Sequence, residues 1–200
     1  MIPGTRRSKR THHPTYDSAY EQRLIDAVIA NLRVLAPVVQ GVAQLSDNDA
    51  AAIIPANDLN CCAVYRAAIG HPHVAFNSNN WQAAANHFGM NYQQVNDTTL
   101  GKHCEMKILD NLAPPGGAYI GISKLCCLPC GAVLALAGIA SRGCHGKGYE
   151  TGWEYPAWLN GPGRLQAFLG ATAWPLYTAL SAESQRLFLS DLKVSFKTLS

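Results

Sequence analysis

Charged side chains are scarce in this sequence of 200 residues, where they make up 14% against 48% for hydrophobic residues. A chain of this size and composition can bury the full core of a single domain. Long apolar runs are also lacking: the most apolar stretch, 132–140, has nine residues, whereas a membrane-spanning helix needs about 20. No apolar segment follows the basic N-terminus, which argues against a secretory signal. We therefore expect a soluble, cytoplasmic protein, and delivery as an effector or toxin stays open.

The net charge of +3 owes much to the N-terminus, where four of the five residues 6–10 are basic. We expect residues 1–16 to form a flexible basic tail and residues 17–200 to form one domain, with its core motifs in 61–156. Such a tail can contact nucleic-acid phosphates. A merely solvated segment has the same composition, so both interpretations stay open.

Cysteine is present in an odd number, seven. The positions are 61, 62, 104, 126, 127, 130 and 144. A secreted disulfide framework is usually shorter and has more evenly spaced cysteines. Reduced thiols that serve a metal fit this distribution better.

Apolar periodicity predicts the elements of a layered α/β domain. Residues 17–45 carry apolar side chains at steps of three and four, as in an amphipathic helix that Pro37 kinks or ends. The apolar runs 61–67 and 73–76 flank a turn with glycine and proline and predict a β-hairpin. A helix beginning near Asp58 is the competing interpretation of the first run.

The middle of the chain alternates helix, buried strand and buried helix. We predict a strand at 118–122, buried on both faces, and a helix at 128–142 that is apolar nearly all round and closed by Gly143. Residues 91–101 are predicted to be a polar connection, and no strand is assigned beyond Gly143. Further helices are predicted at 80–88, 104–112 and 181–192.

Two short motifs carry the chemistry. They are His103-Cys104-Glu105 and, twenty-two residues after the glutamate, Cys127-Leu128-Pro129-Cys130. Each is common alone, since Cys-x-x-Cys also occurs in redox sites and structural zinc sites. Together, each at the start of a predicted helix and with a buried strand between them, they resemble the signature of the cytidine deaminase superfamily. Residues two apart within a helix point about 200° apart, so His103 and Glu105 can share a site only at a helix N-terminus.

Further residues are similar to the toxin-like and fungal branch of that superfamily, which contains nucleic-acid and nucleotide deaminases. The similar residues are Ser123 and Lys124 before the cysteines, the run His145-Gly146-Lys147, Trp153 and Pro156. The resemblance implies a three-layer α-β-α sandwich, in which a mixed central sheet has helices on both faces.

The resemblance also implies a zinc-dependent hydrolase. His103, Cys127 and Cys130 would bind zinc and leave its fourth position to water. Glu105 would move protons during hydrolytic deamination.

The implied substrate is a nucleobase, cytosine or adenine, in single-stranded DNA or RNA, in a nucleotide or in a nucleoside. Asn77, at the end of the second hairpin strand, would contact the substrate, with Asn79 as the competing residue. The backbone amide of Cys104 would bind the base carbonyl. For both asparagines, a turn residue that bonds its own backbone is an equal alternative.

Cys126 departs from the superfamily pattern, because proline usually precedes the first cysteine ligand. The two-residue gap favours Cys127 as the ligand. A structural zinc site with a fourth protein ligand is the main alternative, and it would make the chain an inactive module that binds nucleic acid or protein. The residues that can supply that ligand are Cys104, Cys126, Cys144 and His145. Glu105 argues against this alternative, because a structural site needs no carboxylate beside the metal.

Two other pairs have ordinary structural interpretations. His71 and His73 flank Pro72 and fit surface turn histidines better than a second metal pair. Trp153 and Trp158 can stack on nucleic-acid bases, but aromatic residues near a C-terminal helix fill a core more often.

Overall fold

The computed structural model describes residues 13–36, 48–54, 61–78, 80–148 and 152–199. Most of the predicted tail, residues 1–12, lies outside these ranges, as do Pro37 and Asp58. Within them, the α-helices are α1 Ser18–Leu35, α2 Asn48–Ile53, α3 Trp81–Phe88, α4 Cys104–Leu112, α5 Leu128–Leu136, α6 Arg164–Ala179 and α7 Ala182–Ser195. The strands are β1 Cys62–Tyr65, β2 His73–Phe76, β3 Gln93–Gln94, β4 Tyr119–Ile122 and β5 Ala140–Ser141, and a 3₁₀ helix spans Ala157–Asn160.

The five strands form one mixed sheet in the order β3-β2-β1-β4-β5. β1 is antiparallel to both β2 and β4, so the predicted hairpin is confirmed. The outer pairs, β2 with β3 and β4 with β5, are parallel. Paired parallel strands place their carboxyl ends at the same edge of the sheet, and in open α/β sheets this edge binds ligands.

Helices cover both faces of the sheet, which confirms the predicted three-layer sandwich. Side chains alternate along β1 between the two faces. Ala63 packs with α1, α4 and α5 in the larger core, whereas Cys62 and Val64 pack with α2 and α3 in the smaller one. No helix in the described ranges is both long enough and apolar enough to cross a membrane.

The first predicted helix stops just before Pro37, the residue that was expected to kink or end it, and residues 37–47 lie outside the described ranges. It begins after Asp17, whose side chain accepts a hydrogen bond from the amide of Tyr20, and it ends at Leu35. Ala36, which precedes the proline, has a non-helical backbone, as the residue before a proline prefers. The predicted periodic positions Leu24, Ile25, Val28 and Leu32 are buried.

The predicted helix 128–142 was wrong at its C-terminal end. α5 stops at Leu136, and Gly138 has a φ of 67°, the left-handed conformation that commonly ends a helix. Ala140 and Ser141 then form β5, which pairs with β4. Apolar content alone does not separate a buried helix from a buried strand, so the boundary was not visible in the sequence.

One other segment differs from the sequence-based prediction, and the C-terminal region adds helices that were not predicted. The connection 91–101 contains β3, a two-residue strand of exposed glutamines. Beyond Gly143, where no strand was assigned, the elements within 152–199 are all helical. α7 confirms the helix predicted at 181–192, and the hydroxyl of Ser181 caps it by accepting a hydrogen bond from the amide of Ser184 (3.2 Å).

α6 packs closely against α1 because it breaks at Gly170. That residue has a φ of 88°, and a side chain there would collide with Asn31 of α1. The amide of Asn31 donates hydrogen bonds to the carbonyl oxygens of Ala167 (3.0 Å) and Phe168 (2.9 Å), next to the break. Phe168, beside the break, is fully buried in the larger core.

Candidate metal centre and active site

Two helix N-termini bring the candidate ligands together. His103 directly precedes α4 and Cys127 directly precedes α5, and both have extended backbones with ψ of 156° and 163°. Cys130 lies in the first turn of α5. Helix N-termini favour negative charge, because their amides lack helical partners and the helix dipole is positive there. The position suits cysteine thiolates.

The three donor atoms have the spacing of a metal site. Nδ1 of His103 lies 3.4 Å from Sγ of Cys127 and 3.4 Å from Sγ of Cys130. All three donor atoms lie within 4.8 Å of one another, and the three residues are buried. With Zn–N of about 2.0 Å and Zn–S of about 2.3 Å, two ligands of a tetrahedral zinc are about 3.5 Å apart. The cluster can therefore hold a metal ion, and its donors fit zinc.

The backbone orients the histidine. Nε2 of His103 donates a hydrogen bond to the carbonyl oxygen of Gly152 (3.2 Å). In the neutral imidazole, a proton on Nε2 makes Nδ1 the nitrogen that binds a metal. Nδ1 is the atom that faces the two sulfurs.

Cys127 and His103 shift one another's ionisation. Burial opposes the Cys127 thiolate, but hydrogen bonds from Cys130 and His103 and the charge of His103 lower its pKa to about 6. Burial likewise opposes the charge of His103, but Cys127 and Glu105 raise its pKa to about 9. The lowered pKa of Cys127 favours its thiolate, the form that binds metals. Metal binding to this pair displaces the imidazole proton.

Trp153 is a neighbour of the site that the motif spacing did not reveal. Its indole Nε1 donates a hydrogen bond to Sγ of Cys130 (3.1 Å), and the side chain is only 3% exposed. The ring stacks on Phe168 of α6, with 5.7 Å between centroids, and meets Phe196 edge-on. The core interpretation of Trp153 is therefore confirmed. Trp158 is partly buried, and the guanidinium of Arg164 lies 4.3 Å from its ring centroid.

Glu105 lies beside the cluster without joining it. It occupies the first turn of α4 and is 3% exposed. Its Oε2 accepts a hydrogen bond from Sγ of Cys104 (3.2 Å). The carboxylate lines the same pocket as His103 and Cys127 and is not one of the grouped metal donors. A group in this position can exchange protons with a molecule in the pocket.

The pocket above Glu105 has a volume of about 330 Å³, at the lower end of the range for small-molecule sites. It is lined by Cys61, Asn77, His103, Glu105, Ile122, Ser123, Lys124, Leu125, Cys127, Arg142 and His145. Residues from the ends of β2, β4 and β5 thus meet those from the starts of α4 and α5. Sequence reasoning did not find Arg142, because it lay inside the helix predicted at 128–142.

The two residues predicted to contact the substrate lie next to each other. Asn77 directly follows β2, and its Oδ1 accepts the hydrogen of the Cys104 amide (2.7 Å). The amide that was expected to bind the base carbonyl is thus bonded to Asn77 in this structure. Asn79 lies outside the described residues. Substrate contact by Asn77 and by Cys104 stays a prediction.

The candidate fourth ligands lie outside the cluster. All seven cysteines are free thiols. Cys126 lies 3.7 Å from the hydroxyl of Ser141, and Sγ of Cys144 accepts a hydrogen bond from the amide of Gly146 (3.2 Å). Among the described residues, the group that could hold a metal ion consists of His103, Cys127 and Cys130. These are the three residues that the motif spacing predicted as ligands.

A comparison with protein families supports the motif assignment. Residues 102–157 match the family model of the OTT_1508_deam-like deaminases, which belong to the cytidine deaminase-like superfamily. The match contains the cluster and Glu105, and it confirms the resemblance seen in the sequence over less than a third of the chain. No curated protein and no solved structure gave a match.

Proposed function

We propose that this chain is a zinc-dependent deaminase that hydrolyses the exocyclic amine of a nucleobase, cytosine or adenine. The observation that carries the proposal is the position of Glu105, which lines the same pocket as His103 and Cys127 without belonging to the metal-binding group. A purely structural zinc needs four protein ligands and no adjacent carboxylate. The arrangement within the described ranges, three donors with a carboxylate beside them, suits hydrolysis.

The reaction consumes one water for each ammonia released. When bound, zinc would act as a Lewis acid that makes a water molecule nucleophilic near neutral pH. Glu105 takes a proton from this water as the new C–O bond forms at the carbon that carries the amine. Glu105 then delivers protons to the ring nitrogen and to the departing amine, and the C–N bond breaks.

The other polar groups of the site hold the substrate or the ligands. The carbonyl of Gly152 keeps His103 in its metal-binding orientation. Asn77 contacts the substrate, and where the base is cytosine the Cys104 amide binds its carbonyl once it exchanges its bond to Asn77.

The proposed substrate is a base in single-stranded DNA or RNA, in a nucleotide or in a nucleoside. A base within a duplex hides its exocyclic amine, and extruding it costs a few kcal/mol. We therefore expect faster deamination of an isolated strand than of the same strand in a perfect duplex.

A substrate panel tests the proposal. Zinc-loaded protein is incubated with cytidine, adenosine, their 5′-monophosphates and single-stranded DNA and RNA. Ammonia is measured, and mass spectrometry identifies the products. We expect conversion of cytosine to uracil or of adenine to hypoxanthine, and no conversion by the Glu105→Ala protein prepared alongside. Zinc-loaded protein that releases no more ammonia than the Glu105→Ala control from every member of the panel contradicts the proposal.

A further inference from the structure

Arg142 brings a guanidinium to the rim of the pocket and leaves one of its donors unsatisfied. It directly follows β5 and lines the pocket. Its Nη1 donates a hydrogen bond to the carbonyl oxygen of Ser123 (3.2 Å). Its Nε is buried and has no partner among the residues that the structure describes. Buried donors without an acceptor are rare in folded proteins, so a water molecule or a ligand atom is the expected partner of Nε.

The charges around this part of the pocket are mainly positive. The described lining includes two basic side chains, Arg142 and Lys124, and one carboxylate, that of Glu105. Glu105 lies beside the metal cluster, where it has a role in proton transfer. No carboxylate within the described ranges forms an ion pair with Arg142. This part of the pocket therefore attracts an anion, and not a cation in addition to the metal ion of the cluster.

The fold places the two basic residues at one edge of the sheet. β4 and β5 are parallel, with Tyr119 paired to Ala140 and Ile120 to Ser141. Lys124 follows the end of β4 and Arg142 follows the end of β5, so both project from the carboxyl edge of the same strand pair. Ligands of open α/β sheets bind at this edge. The anchor of Arg142 on Ser123 ties the guanidinium to the loop that carries Lys124.

We propose that Arg142 and Lys124 form a subsite for a phosphate group of the substrate. The preferred substrate is then a nucleoside phosphate, as a mononucleotide or within a single strand, and not a free base or a nucleoside. This inference rests on the proposed function, because the subsite lies beside a base held over Glu105. A guanidinium binds phosphate oxygens through two parallel hydrogen bonds, which would give Nε the acceptor that it lacks.

Kinetics on matched substrates test the subsite. kcat/KM is measured for cytidine and adenosine, for their 5′-monophosphates and for short single strands that contain one target base. We expect a preference of about 10- to 100-fold for phosphate-bearing substrates, which Arg142→Gln largely abolishes. Its kcat/KM on the nucleoside should fall by a smaller factor, because the nucleoside has no phosphate for Arg142 to bind. A mononucleotide preferred over the strand identifies a terminal phosphate as the ligand, and the reverse identifies a phosphodiester.

Controls separate loss of the subsite from loss of the fold. Arg186→Gln removes the same charge from the exposed surface of α7, where Arg186 pairs with Glu183, and it should leave every rate unchanged. Arg142→Lys keeps the charge without the two-pronged geometry and should fall between wild type and Arg142→Gln. If the Arg142→Gln protein loses zinc or its folded circular dichroism spectrum, Lys124→Gln is used as the test variant. We expect the same loss of preference for phosphate-bearing substrates. Equal kcat/KM on nucleoside and nucleotide for the wild type overturns the inference.

A binding measurement distinguishes failure of the subsite from failure of the proposed function. Calorimetric titration of the Glu105→Ala protein with cytidine, adenosine and their 5′-monophosphates needs no turnover. Tighter binding of a monophosphate than of its nucleoside, lost when Arg142→Gln is added, supports the subsite even if no substrate is deaminated. Equal affinities for nucleoside and monophosphate overturn it.

Discussion

The indole nitrogen of Trp153 donates a hydrogen bond to Sγ of Cys130 over 3.1 Å. The preceding residue, Gly152, accepts a hydrogen bond from Nε2 of His103 over 3.2 Å. Two of the three candidate ligands are therefore oriented by two consecutive residues. Hydrogen bonds of this kind fix the direction of a ligand and tune how much charge it donates to the metal.

The C-terminal helices hold this pair of residues in place. Phe168 of α6 stacks on Trp153, and Phe196, just after α7, meets it edge-on. Lys193 of α7 also pairs with Glu154 at 2.6 Å. These helices lie beyond the segment that matches the deaminase family. Their packing nevertheless reaches the candidate metal centre through one indole ring.

Trp153→Phe should weaken zinc binding while leaving the fold intact. Phenylalanine can keep the stacking on Phe168, but it has no N–H for Cys130. Loss of a hydrogen bond to a metal ligand typically weakens metal binding by about 10- to 100-fold. The zinc Kd, measured by competition with a chromophoric chelator, should rise by about 10-fold or more. Trp174→Phe, at a partly buried position stacked on Tyr177, is the matched control. Wild-type affinity in Trp153→Phe contradicts the proposed role.

Serine substitutions should separate the ligand cysteines from their neighbour Cys126. Cys127→Ser and Cys130→Ser should each weaken zinc binding by more than about 100-fold and lower the thermal midpoint, because metal binding is coupled to folding. Cys126→Ser should keep one zinc per chain, since Cys126 lies against Ser141 and outside the cluster. Elemental analysis and thermal unfolding check both outcomes. Zinc loss in Cys126→Ser with retention in Cys127→Ser reverses the assignment.

Local spacing was enough to predict the cluster but not its surroundings. His103 and Glu105 are close in sequence, as are Cys127 and Cys130, and helix geometry alone limits where each pair can meet. Trp153 is 23 residues from Cys130 in sequence. Its contact with Cys130 depends on how the C-terminal helices pack against the core, and this packing cannot be inferred from the spacing of residues in the sequence.

The edge strands β3 and β5 were also not predictable from local sequence patterns. The hairpin and β4 follow from apolar runs bounded by glycine and proline. β3 and β5 have two residues each, too few for any periodicity, and they exist because a neighbouring strand offers hydrogen bonds. Arg142 was therefore assigned to a helix, although it lies at the end of a strand and lines the pocket.

Asp97 should stabilise the fold in a pH-dependent way. Its carboxylate forms an ion pair with Lys102 (3.0 Å), the residue that precedes His103. Lys102 also forms an ion pair with Asp110 of α4 (2.9 Å). Burial opposes its charge, but hydrogen bonds from Thr99 and Lys102 lower the pKa of Asp97 from 3.8 to about 2. A depressed pKa in the folded state gives stability that is present above pH 4 and lost as the pH falls towards 2.

Asp97→Asn should accordingly be less stable than the wild type near pH 6, by on the order of 1 kcal/mol after allowance for partial exposure. The difference should vanish near pH 2. Free energies of unfolding from urea titrations across this range provide the measurement. Asp26→Asn, at an exposed position on α1, is the control that removes a carboxylate from another place on the surface. If the difference in free energy of unfolding between wild type and Asp97→Asn does not change with pH, the ion pair is not the cause of that difference.

Glu105 gives the most direct test of the mechanism, because the carboxylate has a catalytic role and no assigned metal bond. Glu105→Ala should keep its zinc and its fold, since His103, Cys127 and Cys130 remain. Activity should fall by at least about 10²- to 10⁴-fold, the usual contribution of general acid and base catalysis, because one group handles every proton. Glu105→Gln keeps the shape and should be equally inactive, whereas Glu183→Ala, on the exposed face of α7, should be fully active. A Glu105→Ala protein that stays active removes the proton shuttle from the mechanism. One that loses zinc as readily as Cys127→Ser makes Glu105 a ligand or a structural support.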